Sequence, residues 1–159
     1  MECLVHFAIE DCLAFPTTSL EQNVDMELSV GNSEQPVAGQ PLALVVDDNE
    51  DNLLLLAFVL EQLGCAIITA ADGQTALHLA QSEQPTLILL DMMLPDMDGM
   101  EVLSRLRHNP LTTMIPVIAV TAMAREQDRE RILSAGCNEY VTKPYAVDDL
   151  EVMLRHYLR

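Results

Sequence analysis

The stretch TLILLDMMLPDMDG, residues 86–99, joins a strand signal to a charged loop. Its first part, Thr86–Leu90, is a nearly continuous apolar run of strand length, as expected for a parallel strand covered on both faces. The run ends at Asp91, and Met93–Gly99 has the proline, glycine and aspartate content of a loop. The stretch therefore predicts a buried strand, the third in the chain, with a carboxylate at its carboxyl end.

Three other short apolar runs also end in polar residues. They are Leu42–Val46, which runs into Asp47 and Asp48; Ile115–Val120, which runs into Thr121; and Tyr140–Thr142, which runs into Lys143. Longer segments with a helical pattern lie between the runs. Alternation of strands and helices is typical of βαβ units and of a parallel sheet, so the chain is predicted to be an α/β protein.

We predict five strand–helix repeats. The second strand is Ala66–Ala70, and the helices are predicted at about Asn52–Leu63, Gly73–Ser82, a segment closed by Asn109 and Pro110, Ala124–Ala135 and Val147–Leu158. Gly64 and Gly136 fit left-handed helix ends, and Arg105 and Arg107 suit the negative end of the third helix dipole. Right-handed crossovers then favour a three-layer, doubly wound, five-stranded parallel sheet with the flavodoxin-like order 2-1-3-4-5.

In that strand order the first and third strands are neighbours, and their carboxyl ends form the ligand-binding switch point of the sheet. We therefore expect Asp47, Asp48 and Asp91 to converge there, with Thr121 and Lys143 approaching from the fourth and fifth strands. Clustered carboxylates repel one another unless protons or a cation neutralise them. A donor set of oxygens alone favours Mg²⁺, and such a site suits phosphoryl transfer.

Composition narrows the possible partners. The chain has 159 residues and a formal charge of −17, which disfavours direct binding to nucleic acid or to anionic membranes. Its apolar runs are all shorter than the roughly 18 residues that a membrane-spanning helix needs. The four cysteines have no metal-site spacing, so we expect reduced thiols and a cytoplasmic protein.

The first 41 residues differ from the rest. They carry acids but no lysine or arginine, and they include a polar stretch at Gly31–Pro41. We predict an acidic, flexible leader over residues 1–41 and one domain over residues 42–159. Met26 is a possible alternative start, in which case the first 25 residues would not be made. We also expect no DNA-binding effector, because the leader lacks a helix-turn-helix pattern.

Residues 42–159 resemble the receiver domain of the two-component response regulators, of the stand-alone type that includes the chemotaxis regulators. The resemblance rests on a joint pattern: the acidic pair after the first strand, the stretch from Leu89 to Gly99, the pair Thr121-Ala122 and the pair Lys143-Pro144. Any one of these elements would be weak support alone. The match implies a phosphoprotein of a phosphorelay, not an enzyme, whose only chemistry is its own phosphorylation and dephosphorylation.

The resemblance also implies roles for the acidic residues. Asp91 would accept phosphate from a sensor histidine kinase or a histidine phosphotransfer protein. Asp48 and Asp91 would bind Mg²⁺ together with the backbone carbonyl of Met93, and Asp47 would act mainly through water.

Further roles are implied around the other strand ends. Lys143 would contact a phosphoryl oxygen, and the bond from Lys143 to Pro144 would be cis. Thr121, followed by Ala122, would move toward the phosphate while Tyr140 turns inward. That change would alter the face built from the fourth helix, the fifth strand and the fifth helix. This face would bind a downstream protein, and phosphorylation could drive dimerisation through it.

Met93 and Met123 occupy the two positions that tune phosphate lifetime in the family. Both side chains are apolar, so neither can orient a water molecule, and we predict slow self-dephosphorylation, over minutes or longer. The first helix carries more apolar residues than one stripe can bury. Tertiary packing is expected to hide most of them, and the alternative is that Leu53 and its neighbours form a docking patch for the kinase or phosphotransfer protein.

Two other functions remain open at this point. The first is a Mg²⁺-dependent phosphatase or phosphotransferase that uses Asp91 as a nucleophile. Such phosphatases favour a second aspartate two residues after the nucleophile, and Met93 occupies that place. The second is a receiver-like adaptor that no longer takes phosphate, which the complete set of site residues argues against.

Overall fold

The computed structural model describes residues 38–159. Most of the predicted leader, and with it the proposed start at Met26, therefore lies outside the described residues. In chain order the elements are β1 Leu42–Val46, α1 Glu50–Gln62, β2 Ala66–Ala70, α2 Gly73–Glu83, β3 Leu87–Asp91, α3 Gly99–His108, β4 Val117–Thr121, α4 Glu126–Ser134, β5 Glu139–Thr142 and α5 Val147–Tyr157. Within this part of the chain no helix is long and apolar enough to cross a bilayer.

The five strands form one parallel sheet in the order β2-β1-β3-β4-β5, which confirms the predicted topology. Helices cover both faces, so the central strands can be apolar along almost their whole length, as they are up to Asp91 at the end of β3 and Thr121 at the end of β4. Two separate clusters of buried side chains lie on the two sides of the sheet. One cluster joins the sheet to α2, α3 and α4, and the other joins it to α1 and α5.

Alternate residues of each strand enter opposite clusters. In β1, Leu44 and Val46 pack toward α2 and α3, while Ala43 and Val45 pack toward α1 and α5. The same period of two in every strand is what a pleated backbone imposes. Side chains near the carboxyl ends of the strands are held by packing on both faces, which makes that end a rigid platform.

Local hydrogen bonds start the helices as the sequence suggests. The side chain of Asn49 accepts from the amides of Asp51 and Asn52, so α1 begins at Glu50, two residues before the predicted start. Gly64 after α1 has a φ of 77°, and Gly136 after α4 has a φ of 100°, the left-handed conformation predicted for both helix ends.

Two element boundaries differ from prediction for identifiable reasons. β4 begins at Val117 instead of Ile115, because Pro116 has no amide to donate to the ladder. α4 begins at Glu126 instead of Ala124, since Arg125 is the extended N-cap residue and offers no side-chain cap. The loop before α4 is therefore longer than expected, and it carries the exposed residues Ala122 and Met123.

The first helix keeps an apolar stripe in solvent. Leu53 is partly buried and packs against the cluster shared with α5, but Leu54 and Phe58 are 68% and 60% exposed, and Leu55 is also exposed. Tertiary packing hides Leu56, Val59 and Leu60 of this helix. The exposed apolar patch of α1 thus consists of Leu54, Leu55 and Phe58, and Leu53 is partly buried beside it.

Candidate functional site

The sheet register brings the polar strand ends together. Val46 of β1 pairs with Leu90 of β3, so Asp47 and Asp91 follow at the same level of the sheet. Thr121 closes β4 and pairs with Thr142 of β5, which places Lys143 directly beyond. All four residues reach the carboxyl edge because parallel strands end on the same side.

Lys143 bridges the two aspartates. Its Nζ lies 2.8 Å from Oδ2 of Asp47 and 2.9 Å from Oδ2 of Asp91. Asp47 is 1% exposed and Asp91 is 6% exposed, so both carboxylates are largely removed from water. A buried charge is tolerated when it is paired and hydrogen-bonded, and Lys143 supplies that pairing.

Asp47 is held by additional donors. The amide of Asn49 donates to Oδ1 of Asp47 at 2.9 Å, and Nδ2 of Asn52 lies 3.1 Å from Oδ2. Asn52 was predicted only as the first residue of a helix. Nothing in the local pattern revealed this contact, which depends on α1 starting early enough to turn Asn52 back over the end of β1.

Asp91 sits in a balance of opposing effects. Burial raises the pKa of Asp91. The Met93 amide, which donates to Oδ1 at 2.9 Å, lowers this pKa, and so does the nearby Lys143. Burial is the larger effect, so the net shift of the pKa is upward. For Lys143, burial lowers the pKa, but hydrogen bonds and charge from Asp47 and Asp91 outweigh burial, so the net shift is upward. The lysine is therefore a stable ammonium at neutral pH.

Asp48 completes an acidic cluster. Oxygen atoms of Asp47, Asp48 and Asp91 all lie within 4.8 Å of one another. Unlike the other two, Asp48 is exposed and faces solvent. Carboxylates alone, with no histidine or cysteine in the cluster, are hard oxygen donors, and this set fits Mg²⁺ better than zinc or copper.

An open pocket of about 460 Å³ gives access to the cluster. It is lined by the three aspartates and by Asn49, Asn52, Met93, Leu94, Pro95, Ala122 and Lys143. The pocket is thus surrounded by carboxylates, one ammonium and the exposed side chain of Met93, and it is large enough for a small hydrated anion.

The remaining predicted residues lie around this pocket. The hydroxyl of the buried Thr121 accepts from the amide of Met123 at 3.1 Å, so it supports the following turn and does not pair with a carboxylate. The amide of Lys143 donates to the Thr121 carbonyl at 2.8 Å, and the bond from Lys143 to Pro144 is cis. These contacts tie the end of β4 to the end of β5.

Tyr140 is half-buried at the start of the same region. Its hydroxyl donates to the carbonyl of Met123 in the loop after β4. Burial raises the pKa of the Tyr140 phenol, and nearby Asp128 adds to the effect. Tyr140 therefore contacts the carbonyl of Met123 and Thr121 contacts its amide, from two different strands.

Met93 and Met123 are both exposed. Met93 lines the pocket through a short loop in which it forms an isolated bridge with Asp98. The sequence placed both methionines next to the site, and the structure adds that the backbone of each is engaged: Met93 through the carboxylate of Asp91, Met123 through Thr121 and Tyr140.

Comparison with known proteins agrees with this geometry. The response regulator receiver domain family matches residues 43–155, and the chain belongs to that family. This result confirms the resemblance on which the sequence analysis relied, including the fold. The class of protein is thus the response regulator receiver domain of two-component systems.

Individual relatives cover most of the described residues. An uncharacterized 14.6 kDa protein in the sodA1 3′ region of Leptolyngbya boryana is 44% identical over 110 residues, which is 69% of this chain and 82% of that protein. The polar-differentiation response regulator DivK of Brucella anthropi is 40% identical, over 72% of this chain and 94% of its own length.

One solved structure bears on the acidic cluster. The receiver domain of the sensor histidine kinase PA1611 from Pseudomonas aeruginosa PAO1 is 33% identical, with a TM-score of 0.69 over 75% of this chain and 98% of that one. That crystal structure has a magnesium ion coordinated in the active-site cleft.

Proposed function

We propose that the chain accepts a phosphoryl group on Asp91 and signals through the resulting change of conformation. The observation that carries the proposal is the pairing of the buried Asp91 with Lys143 in the lining of an open, acidic pocket. An oxygen of Asp91 attacks phosphorus, and a phosphorus–oxygen bond forms while the phosphorus–nitrogen bond of a donor phosphohistidine breaks. The electron pair of the broken bond stays on the imidazole, which takes up a proton.

The acidic cluster supports Mg²⁺ as the cofactor. Asp48 and Asp91, with the backbone carbonyl of Met93, would hold the ion, and Asp47 would act through water because Lys143 and Asn52 already occupy its oxygens. When bound, the ion supplies positive charge that offsets the three carboxylates and the incoming phosphoryl oxygens.

Lys143 and Thr121 would respond to the modification. The ammonium now shared between Asp47 and Asp91 would contact a phosphoryl oxygen. Thr121 would turn its hydroxyl from the Met123 amide toward the phosphate, and Ala122 follows it in the same turn. Because Tyr140 contacts the carbonyl of Met123, that movement would release Tyr140 and alter the surface of α4, β5 and α5.

The same surface is proposed to bind the downstream protein, and two copies could associate through it after phosphorylation. The partners are therefore proteins, and the acidic chain argues against nucleic acid or membrane. The buried free thiols Cys65 and Cys137 suit a cytoplasmic location. We propose residues 42–159 as the receiver domain and residues 1–41 as a leader.

A histidine kinase or phosphotransfer protein is the proposed donor, and the uncovered patch Leu54, Leu55 and Phe58 on α1 is the proposed contact. Phe58→Glu should slow transfer from such a donor while leaving phosphorylation by acetyl phosphate unchanged. Val152→Glu, on exposed α5, is the matched control. Equal slowing with both substrates would contradict a docking role.

Incubation with acetyl phosphate and Mg²⁺ tests the acceptor directly. The intact protein should gain the mass of one phosphoryl group, and Asp91→Ala should gain none. Asp98→Asn is the control and should still be modified; it replaces an exposed aspartate at the end of the loop that follows Asp91. Full modification of Asp91→Ala would refute the assignment.

A further inference from the structure

The loop between β3 and α3, residues 92–98, is fastened to a helix that supplies no residue to the pocket. The carboxylate of Asp96 accepts from the amide of Gly73 at 2.8 Å and from the amide of Gln74 at 2.9 Å. These are the first two residues of α2, whose amides have no acceptor within the helix. Asp96 therefore caps α2 from a position 22 residues further along the chain.

Packing next to this cap is tight. A Cβ on Gly73 would lie 2.5 Å from Cγ of Met97, so Met97 occupies the space that any other residue would need at position 73. At the other end of the loop, a Cβ on Gly99 would lie 2.5 Å from Cα of Met92, and the Gly99 amide donates to the Met92 carbonyl at 3.0 Å. The loop is closed at its ends and attached to α2 at its apex.

This loop carries Met93, whose amide donates to Asp91. We propose that Asp96 is a positioning residue: by holding the loop against the first turn of α2, it fixes the Met93 carbonyl for Mg²⁺. The proposal rests on the proposed function, since Met93 matters only if Mg²⁺ binds here. In this proposal α2 supports the site although α2 itself contributes no ligand.

Asp72 provides a matched comparison. It is the residue directly before α2 and caps the same helix through the amide of Thr75, at 2.7 Å; both of its carboxylate oxygens accept from Thr75 and not from the loop. Asp72→Asn and Asp96→Asn each remove one negative charge from the same helix end and keep one acceptor oxygen, because asparagine also caps helices. Only the second change replaces one of the two oxygens that hold the loop to α2 by an NH₂ group, so a difference between the two variants separates positioning from helix capping and from charge.

Mg²⁺ affinity, measured by titration calorimetry on the unphosphorylated protein, is the deciding quantity. Asp96→Asn should weaken binding by about tenfold, the lower end of the effect of groups that hold metal ligands in place, while Asp72→Asn should stay within about twofold. Initial phosphorylation rates should distinguish the two variants in the same way. In Asp96→Asn the Mg²⁺ concentration that gives the half-maximal rate should rise, while the rate at saturating Mg²⁺ should equal that of the wild type.

Hydrogen exchange of the metal-free protein provides an independent measurement of loop attachment, because it does not depend on Mg²⁺ binding. Peptides covering residues 92–98 should exchange faster in Asp96→Ala and unchanged in Asp72→Ala. Unaltered Mg²⁺ affinity and loop exchange in the Asp96 variants would overturn the positioning role while leaving the proposed function intact. A wild-type protein that binds no Mg²⁺ would overturn both.

Discussion

At the scale of single residues, Lys143 makes the central ion pairs of the site. It is the only lysine in the chain, and its ammonium joins two buried carboxylates that come from separate strands. A lone aspartate pair after a strand is usually a helix cap. The ion pair with Lys143 distinguishes Asp47-Asp48 from such a cap, because capping alone would leave the buried carboxylate of Asp47 without a counter-ion.

The uniqueness of this lysine allows a direct measurement. Phosphorylation with phosphoramidate should lower the labelling of Lys143 by an amine-directed reagent severalfold, because a phosphoryl oxygen then holds the ammonium more strongly. The α-amino group at the start of the chain is the internal control, and peptide mass spectrometry quantifies both. Unchanged labelling at full phosphorylation would contradict the role of Lys143.

The hydrogen bonds of Asp96 lead to a prediction about how the stability of the protein depends on pH. Its hydrogen bonds to the amides of Gly73 and Gln74 lower its pKa. A carboxylate whose pKa is lower in the folded state adds stability above its unfolded pKa of about 3.9, and that stability is lost as the pH falls through the lower folded value. Asp96→Asn should therefore unfold at a lower temperature than wild type at pH 7.

The difference between the two proteins should shrink as the pH is lowered from about 5 toward 3. Thermal denaturation followed by circular dichroism, in EDTA to remove metal, measures it. Asp148→Asn, at an exposed position in the first turn of α5, serves as the control. A constant difference at every pH would show that the carboxylate charge does not stabilise the fold.

At the scale of elements, Arg107 joins two loops, α3–β4 and α4–β5, at the opposite edge of the sheet. Its Nε donates to the Gly136 carbonyl at 2.8 Å, its Nη1 donates to the Ile115 carbonyl at 2.9 Å, and its Nη2 lies 3.0 Å from Oδ1 of Asn138. Asn138 in turn accepts from the amide of Val117. This network fixes the end of α3, the start of β4 and the end of α4.

Loss of this network should be costly. Arg107→Met leaves several backbone carbonyls without donors, and we expect the free energy of unfolding to fall by about 2–3 kcal/mol. Arg105→Met, two residues away, removes only an exposed ion pair with Glu101 and should cost less than about 1 kcal/mol. Urea denaturation of both variants makes the comparison, and equal losses would contradict it.

Most of the sheet order and the strand ends could be predicted because each depends on a local pattern: apolar runs, a helix cap, a proline. Arg107 and Asp96 were not predicted in these roles. Arg107 was read as a favourable charge at the end of a helix dipole, and Asp96 as a loop residue. The partners of Asp96, and Gly136 and Asn138 among the partners of Arg107, lie 22 to 31 residues away along the chain. The fold brings these residues together, and no local pattern encodes that proximity.

The start of α1 shows a further limit. Asn49 caps α1 and so adds Glu50 and Asp51 to the helix, whereas the predicted helix began at Asn52. Hydrogen-bond geometry determines which residue of a polar run becomes the cap. The convergence of Asp47, Asp48 and Asp91 was easier to predict, since a parallel sheet fixes where its strand ends meet.

At the scale of the whole molecule, the formal charge of −17 and the acidic cluster act in the same direction. Carboxylates concentrated at one edge favour cation binding, and Mg²⁺ that binds only the folded state stabilises it. At a concentration of 100 times the dissociation constant this amounts to about 2.7 kcal/mol. The melting temperature should rise accordingly on addition of MgCl₂.

Ionic strength must be separated from specific binding in that measurement. NaCl at the same ionic strength should raise the melting temperature less, and Asp48→Asn should lose most of the additional gain from MgCl₂ because it removes the exposed ligand. Differential scanning calorimetry follows all three conditions. An equal gain from both salts would show screening alone.

The three tyrosines offer an optical consequence of the contact between Tyr140 and Met123. The chain has no tryptophan, and Tyr140, Tyr145 and Tyr157 all lie in the last 20 residues. Tyr140 donates to the Met123 carbonyl and Tyr157 to the Glu139 carboxylate, which are partners that alter the emission of a phenol. Ultraviolet fluorescence of the unlabelled protein thus reports on β5 and α5 alone, and a phosphoryl donor added in a stopped-flow mixer would reveal the timing of their rearrangement.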